Sequence, residues 1–199
     1  MAKGSSDQTV AVLVPVKSFA SAKQRLQHVL TDGEREKLMR ALATRVISAA
    51  SPRPVAVVCD DEAVASWAKT LGAEVLWTPQ YGLNGAVRAG VDSLAARGFD
   101  QVMIAHGDLA HPEELGTMEI GDGVSIVPDQ RDDGTNVLAL PTDVDFDFLY
   151  GPGSFHRHLA EAVRLGFDPT IIRSKALALD IDEPEDLDTL DLPALLLEH

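Results

Sequence analysis

The stretch VAVLVPV–KSFASAKQRL, residues 10–26, decides how this chain folds. Val10 to Val16 is an unbroken apolar run. It reads as a strand buried on both faces, because a strand with one wet face would alternate with polar residues. The run opens at once into small residues and cations. Lys17, Lys23 and Arg25 bring charge, and Ser18, Ala20, Ser21 and Ala22 let backbone approach a ligand. A cationic loop behind the first buried strand of an α/β sheet is a common seat for anionic nucleotides. Taken alone, the segment reads equally well as the solvated start of an amphipathic helix.

Outward from this point, strands and helices alternate. Thr31 and Glu34 form a capping box for a helix over 34–50, with Leu38, Leu42, Val46 and Ala49 on one face. Strands follow at 55–59, 74–77 and 101–105, separated by helices at 63–71, with Asp60 and Asp61 at its cap, and at 86–97. TPQYGLNG, residues 78–85, reads as a turn-rich loop. Beyond it, 124–127 and 137–140 are strands around the acidic loop PDQRDDGT, and 154–165 suits a helix. Short apolar stretches lie at 170–172 and 176–181. DIDEPEDLDTL passes from a strand into a terminal helix, with Pro184 in the first turn. The expectation is an α/β fold: one Rossmann-like domain over 9–196, with a mostly parallel sheet and helices on both faces. Residues 1–8 are expected to be loose, and Leu197 to His199 to be an expression-tag remnant.

Composition agrees with one globular domain: 199 residues, 45% hydrophobic and 24% charged. No apolar stretch has the length to cross a bilayer, and MAKGSSDQ lacks a signal-peptide layout. The single cysteine, Cys59, rules out an internal disulfide and favours a cytoplasmic setting. A net charge of −14 argues against a nucleic-acid surface but not against a nucleotide. Basic residues gather in the first quarter and aspartates later. That pattern suits phosphates at one edge and divalent cations at another, although most such charges are simply solvated.

Three further places carry candidate chemistry. Asp108, in IAHGDL, follows a buried strand, where open α/β sheets build sites. A hard cation such as Mg²⁺ favours carboxylates plus phosphate oxygens. Asp108 reads alternatively as a helix cap before Pro112. His106 and His111 read as exposed loop residues rather than ligands. Asp180 and Asp182, two apart in a strand, aim at one face and need a cation between them, unless Asp182 caps the segment from Pro184. The turns DGTN (133–136) and YGPGS (150–154) can hold a phosphate or carboxylate on backbone N–H groups, or serve as ordinary caps. Trp67, Trp77 and Tyr81 read as packing residues.

Together VPVKSFASAKQRL, GLNGAV, HGDL, DDGTNVL, YGPGSFHRH and LDIDEPEDL, in that order, resemble the guanylyltransferases of deazaflavin coenzyme F420 biosynthesis. Members activate phosphoenolpyruvate, 2-phospho-L-lactate or 3-phospho-D-glycerate, and are similar in fold to sugar-nucleotide-type nucleotidyltransferases. The resemblance implies GTP and a small phospho-acid as substrates, Mg²⁺ as cofactor, pyrophosphate release, and a product used by a later transferase. It places Lys17, Ser18, Lys23 and Arg25 on the nucleotide phosphates and Leu83 and Asn84 in a loop beside the nucleoside. Asp108 becomes a metal ligand along with Asp180 or Asp182, Asp180 before Asp182. Thr135, Gly151 and Ser154 become the acid pocket. Lys17, Lys23, Arg25 and Asp108 would carry catalysis. Ala110 stands where related chains often have proline, and Phe155 is bulky beside the acid pocket; both bear on the acceptor. The alternatives are a related nucleotidyltransferase for a sugar phosphate or molybdopterin, and a non-catalytic nucleotide-binding module. A homodimer is one expectation for assembly, and neither nucleic acid nor membrane is expected as a partner.

Overall fold

The first four strands, β1 (Val10–Pro15), β2 (Val55–Cys59), β3 (Glu74–Trp77) and β4 (Gln101–Ala105), lie parallel in the order β3-β2-β1-β4. In this computed structural model, which describes residues 9–197, the sheet continues beyond β4. β5 (Ser125–Pro128), β6 (Thr135–Pro141) and β7 (Thr170–Ile171) complete the order β4-β6-β5-β7. β6 pairs antiparallel with both β4 and β5, so it alone runs against the rest. The expectations for residues 1–8, and for Glu198 and His199, lie outside the described residues. Leu197 closes the last helix.

Both faces of β1 are covered, as its uninterrupted apolar run requires. Val12 and Val14 join one core with residues of α1 (Asp32–Ala49) and α2 (Glu62–Thr70). Ala11 and Leu13 point the other way, into a core with α3 (Gly82–Ala96) and α4 (Ser154–Arg164). At Gly90 the α3 backbone presses so close that a Cβ would lie 2.7 Å from Leu13 Cδ2. A third cluster packs α5 (Leu192–Leu197) against α1 through Leu195, Leu38 and Leu42. The capping box forms as read: Glu34 N–H donates to Thr31 Oγ1 (3.3 Å), and Thr31 N–H donates to Glu34 Oε2 (2.8 Å). Asp61 caps α2 by accepting from the amides of Ala63 and Val64.

The structure corrects four local readings. α3 starts at Gly82, so Leu83 and Asn84 sit in its first turn rather than in a loop. Trp77 ends the edge strand and is exposed, as is Tyr81 before α3; only Trp67 packs, edge-on to Phe19. Residues 176–181 make no strand. Ser174 Oγ accepts from Leu177 N–H and turns the chain, leaving a single bridge between Leu109 and Asp180. The segment from Pro184 is a 3-10 helix to Thr189, not an α-helix. Among the described residues, no helix is long and apolar enough to cross a membrane.

Candidate active site

The strand order reverses between β1 and β4, and loops leaving their carboxyl ends diverge there. Because β6 runs backwards, its first residues arrive at the same edge: His106 N–H donates to Asn136 O at 3.0 Å. The result is a cleft of about 740 Å³. The segment after β1, the His106–Asp108 turn, the loop between β5 and β6, the start of α4 and the Asp180–Asp182 strap all line it. That volume falls within the range of small-molecule sites.

Lys23 lies at the centre. Its backbone is left-handed (φ 53°) between two short 3-10 turns, Phe19–Ser21 and Gln24–Leu26. This conformation turns the side chain inward, where Nζ donates to Asp108 Oδ2 (2.5 Å) and Asp182 Oδ1 (2.8 Å). Burial alone would lower the Lys23 ammonium, but Asp108 and Asp182 outweigh it and hold the pKa above the ordinary lysine value. Burial would raise Asp108, yet Lys23 and His106 hold its carboxyl below the usual range. Asp180 has no such partner. Burial, then the charges of Asp108 and Asp182, push it up to about 6.

The backbone fixes this carboxylate group. Ile181 N–H donates to Asp108 O (3.1 Å) and Ala110 N–H to Leu179 O (2.9 Å), so the strap is tied to the β4 turn. Asn136 Nδ2 donates to Leu177 O (3.0 Å) and Asp180 Oδ1 (3.3 Å). One oxygen from each of Asp108, Asp180 and Asp182 falls within 4.8 Å of the others. Asp108 Oδ1 is buried without a hydrogen-bond partner among the described residues. Three carboxylates, one of them with an unsatisfied buried oxygen, form a donor set that fits a hard divalent cation, and the Lys23 ammonium offsets part of their charge. Asp182 does not cap the next turn, whose N-cap position is Glu183. That task falls to Asp186, which accepts from the amides of Asp182 and Glu183.

Other expected residues divide by position. Lys17, Ser18, Arg25 and Leu83 line the cleft with Lys23, and Lys17 has no carboxylate within ion-pair distance among the described residues. Arg25 is 66% exposed and pairs with Glu183 at 2.9 Å. Cations and acids thus meet in one cleft, not at separate edges. Asn84 is not among the lining residues. Its Oδ1 accepts from Tyr150 N–H at 2.8 Å and ties α3 to the loop before α4. Thr135, Gly151 and Ser154 all line the cleft, whereas Phe155, on α4, is buried in the second core and Ala110 in the α1 cluster. Three amides at the end of the Gly-rich turn are taken: Gly153 N–H by Asp133 Oδ2, Ser154 N–H by Gly151 O and Phe155 N–H by Asp133 O. Those three amides are not free to hold an anion.

Four residues of the site have roles that the sequence reading did not give them. His106 lines the cleft, half-buried, 4.0 Å from Asp108, rather than standing free in a loop. Asp129 organises the acidic loop by accepting from the amides of Arg131, Asp133 and Gly134, a local pattern legible in DQRDDG. Asn136 and His158 act through partners remote in sequence, which no spacing reveals.

A doubly wound sheet with phosphate-compatible cations and clustered carboxylates at its switch point defines a nucleotidyltransferase fold. It is shared, at 14% identity and a TM-score of 0.75, with a protein of Desulfovibrio desulfuricans G20 assigned as a nucleotide-diphospho-sugar transferase, over 96% of this chain and 95% of that one. CMP:2-keto-3-deoxy-manno-octonic acid synthetase complexed with CTP gives a TM-score of 0.57 at 15% identity, over 96% and 99%. Residues 10–193 match the family described as guanylyl transferase CofC like, and the chain belongs to that family. It is 34% identical over 191 residues to a phosphoenolpyruvate guanylyltransferase of Sphaerobacter thermophilus, covering 92% of each chain. It is 31% identical over 182 residues to a 2-phospho-L-lactate guanylyltransferase of Methanothermobacter thermautotrophicus, covering 88% of this chain and 81% of that one.

Proposed function

We propose that this enzyme transfers GMP from GTP to a phosphorylated three-carbon acid, phosphoenolpyruvate, 2-phospho-L-lactate or 3-phospho-D-glycerate, and releases pyrophosphate. The observation that carries the reading is the convergence of Asp108, Asp180 and Asp182 within 4.8 Å beside the buried Lys23. The names of the relatives supply guanine and the acid.

An acceptor phosphate oxygen attacks the α-phosphorus of GTP. The new P–O bond forms as the bond to the bridging oxygen breaks, and pyrophosphate leaves with that electron pair. The attacking phosphate is already ionised at neutral pH, so no protein base is required. Positioning and charge neutralisation are what this chain supplies. Lys17, Lys23 and Arg25 face the triphosphate and offset charge on the departing pyrophosphate. Asp108, Asp180 and Asp182 would hold Mg²⁺, which when bound neutralises phosphate charge as a Lewis acid. Thr135, Gly151 and Ser154 receive the acid. The product, a guanosine diphospho-linked acid, is an activated donor for a later transferase, consistent with a place in F420 assembly.

The test is an acceptor screen: protein, GTP and Mg²⁺ with each of the three acids, pyrophosphate measured. Release with at least one acid is expected. No release with any of them overturns the reading.

A further inference from the structure

The acid pocket contains a hydrogen-bond chain with a fixed direction. His158 is fully buried on α4, one turn after Ser154. Leu149 N–H lies 3.0 Å from its Nε2, and a backbone amide can only donate. Nε2 must therefore carry the lone pair. In a neutral imidazole the proton then sits on Nδ1, and Nδ1 lies 3.0 Å from Thr135 Oγ1. Thr135 Oγ1 accepts that proton and has its own hydrogen left to give. Ser154 Oγ lies 3.5 Å away, at the outer limit of a hydrogen bond, and both hydroxyls line the cleft. With Ser154 Oγ donating to Thr135 Oγ1, the Thr135 hydrogen is the one left to give; were the bond reversed, it would be that of Ser154, and in either case the chain ends in one free O–H on a residue that lines the cleft. Such an end suits an anion. It also replaces the donors withheld by the amides of residues 153–155, which are occupied internally.

We propose that His158 is a positioning residue for the acceptor, orienting the Thr135–Ser154 hydroxyl pair so that it keeps one O–H to donate to the anionic group of the phospho-acid. The proposal rests on the guanylyl-transfer reading above. It assigns no contact between His158 and substrate. The role is to set which way two hydroxyls point before the acid arrives, so that binding does not have to reorient them.

Steady-state kinetics with GTP and phosphoenolpyruvate, each varied in turn, test it in the wild type and in His158→Phe, His158→Gln, Thr135→Val and the His158→Phe/Thr135→Val double variant. Wild-type turnover stands or falls with the function itself, separately from this inference. Given turnover, His158→Phe should raise the acceptor KM about tenfold, the scale of one lost hydrogen bond, with the GTP KM unchanged. Thr135→Val should do the same, and the double variant should be no worse than the worse single change. Gln keeps an acceptor and a donor side by side, so His158→Gln should recover most of the affinity. An unchanged acceptor KM in His158→Phe, equal losses for both substrates, or additive effects would each overturn the proposal. If His158→Phe does not fold, Thr135→Val and His158→Gln decide: a normal acceptor KM in Thr135→Val, or a tenfold-raised one in a folded His158→Gln, rejects it.

Discussion

Lys23 Nζ stands 2.5 Å from Asp108 Oδ2, although 85 positions separate the two residues in sequence. The pair joins the loop after β1 to the turn after β4, and with Asp182 it brings three distant parts of the chain to one point. A buried ion pair adds little over a well-packed apolar replacement, but breaking one from one side strands a charge. Lys23→Met should therefore destabilise the protein by about 3 kcal/mol in chemical denaturation, as well as abolish turnover. A denaturation midpoint equal to that of the wild type would mean that Asp108 has no need of its ammonium.

Asp108→Asn should remove pyrophosphate release while preserving the fold, since the amide still accepts from Lys23. Near-normal kcat in a well-folded Asp108→Asn protein would detach this residue from the chemistry.

Divalent cation should stabilise the wild type. At a hundred times its dissociation constant, Mg²⁺ contributes about 2.7 kcal/mol to a site formed only in the folded state, about 5 °C or more in melting temperature. The upward shift should vanish in Asp108→Asn and Asp180→Asn. An equal shift in all three proteins would place the cation elsewhere.

Asp180 is the strained member of the trio. Its folded pKa, about 6, exceeds the ordinary carboxylate value because of burial and then its two acidic neighbours. The folded state thus holds this proton more tightly than the unfolded chain does. Its contribution is favourable below about pH 4, and is lost as pH rises through 6, by up to about 3 kcal/mol. Without metal, Asp180→Asn should be more stable than the wild type at pH 7.5 and equal to it near pH 4. A variant less stable at both would contradict this account.

His158 carries the opposite sign. Burial first, then the nearby charges of Arg157 and His106, lower it to about 4. The unfolded chain binds this proton more readily, so stability present above pH 6.5 is lost as pH falls toward 4, by about 3 kcal/mol. Replacing it with Gln should flatten that part of the pH–stability curve. An identical slope in the variant would assign the loss to other groups.

The parallel half of the sheet was legible because its physics is local. Val10–Val16 cannot sit with one wet face, Thr31 and Glu34 satisfy each other across one helical turn, and Asp108 must emerge at a strand end. The meeting of Asp108 with Asp180 follows from the family resemblance, whereas the residues alone read as separate sites, with Asp180 in a strand. The structure uses one bridge and Asn136 in its place. Misreadings cluster where a distant partner overrides local signals. Tyr150 N–H takes Asn84 Oδ1 out of the cleft, and Lys23 takes Asp182 away from its capping role. His158 was silent in sequence because its two partners lie 9 and 23 residues away on different elements.

The reversed run of β6 has an evolutionary consequence. Under the proposed function, it puts the residues assigned to the incoming acid on a hairpin and helix separate in sequence from the loops assigned to the triphosphate. Drift in residues 129–135 and 149–158 can retarget the enzyme to a new small molecule while its energy-bearing partner stays the same, and a laboratory swap of those two segments between relatives would exploit the same division of labour.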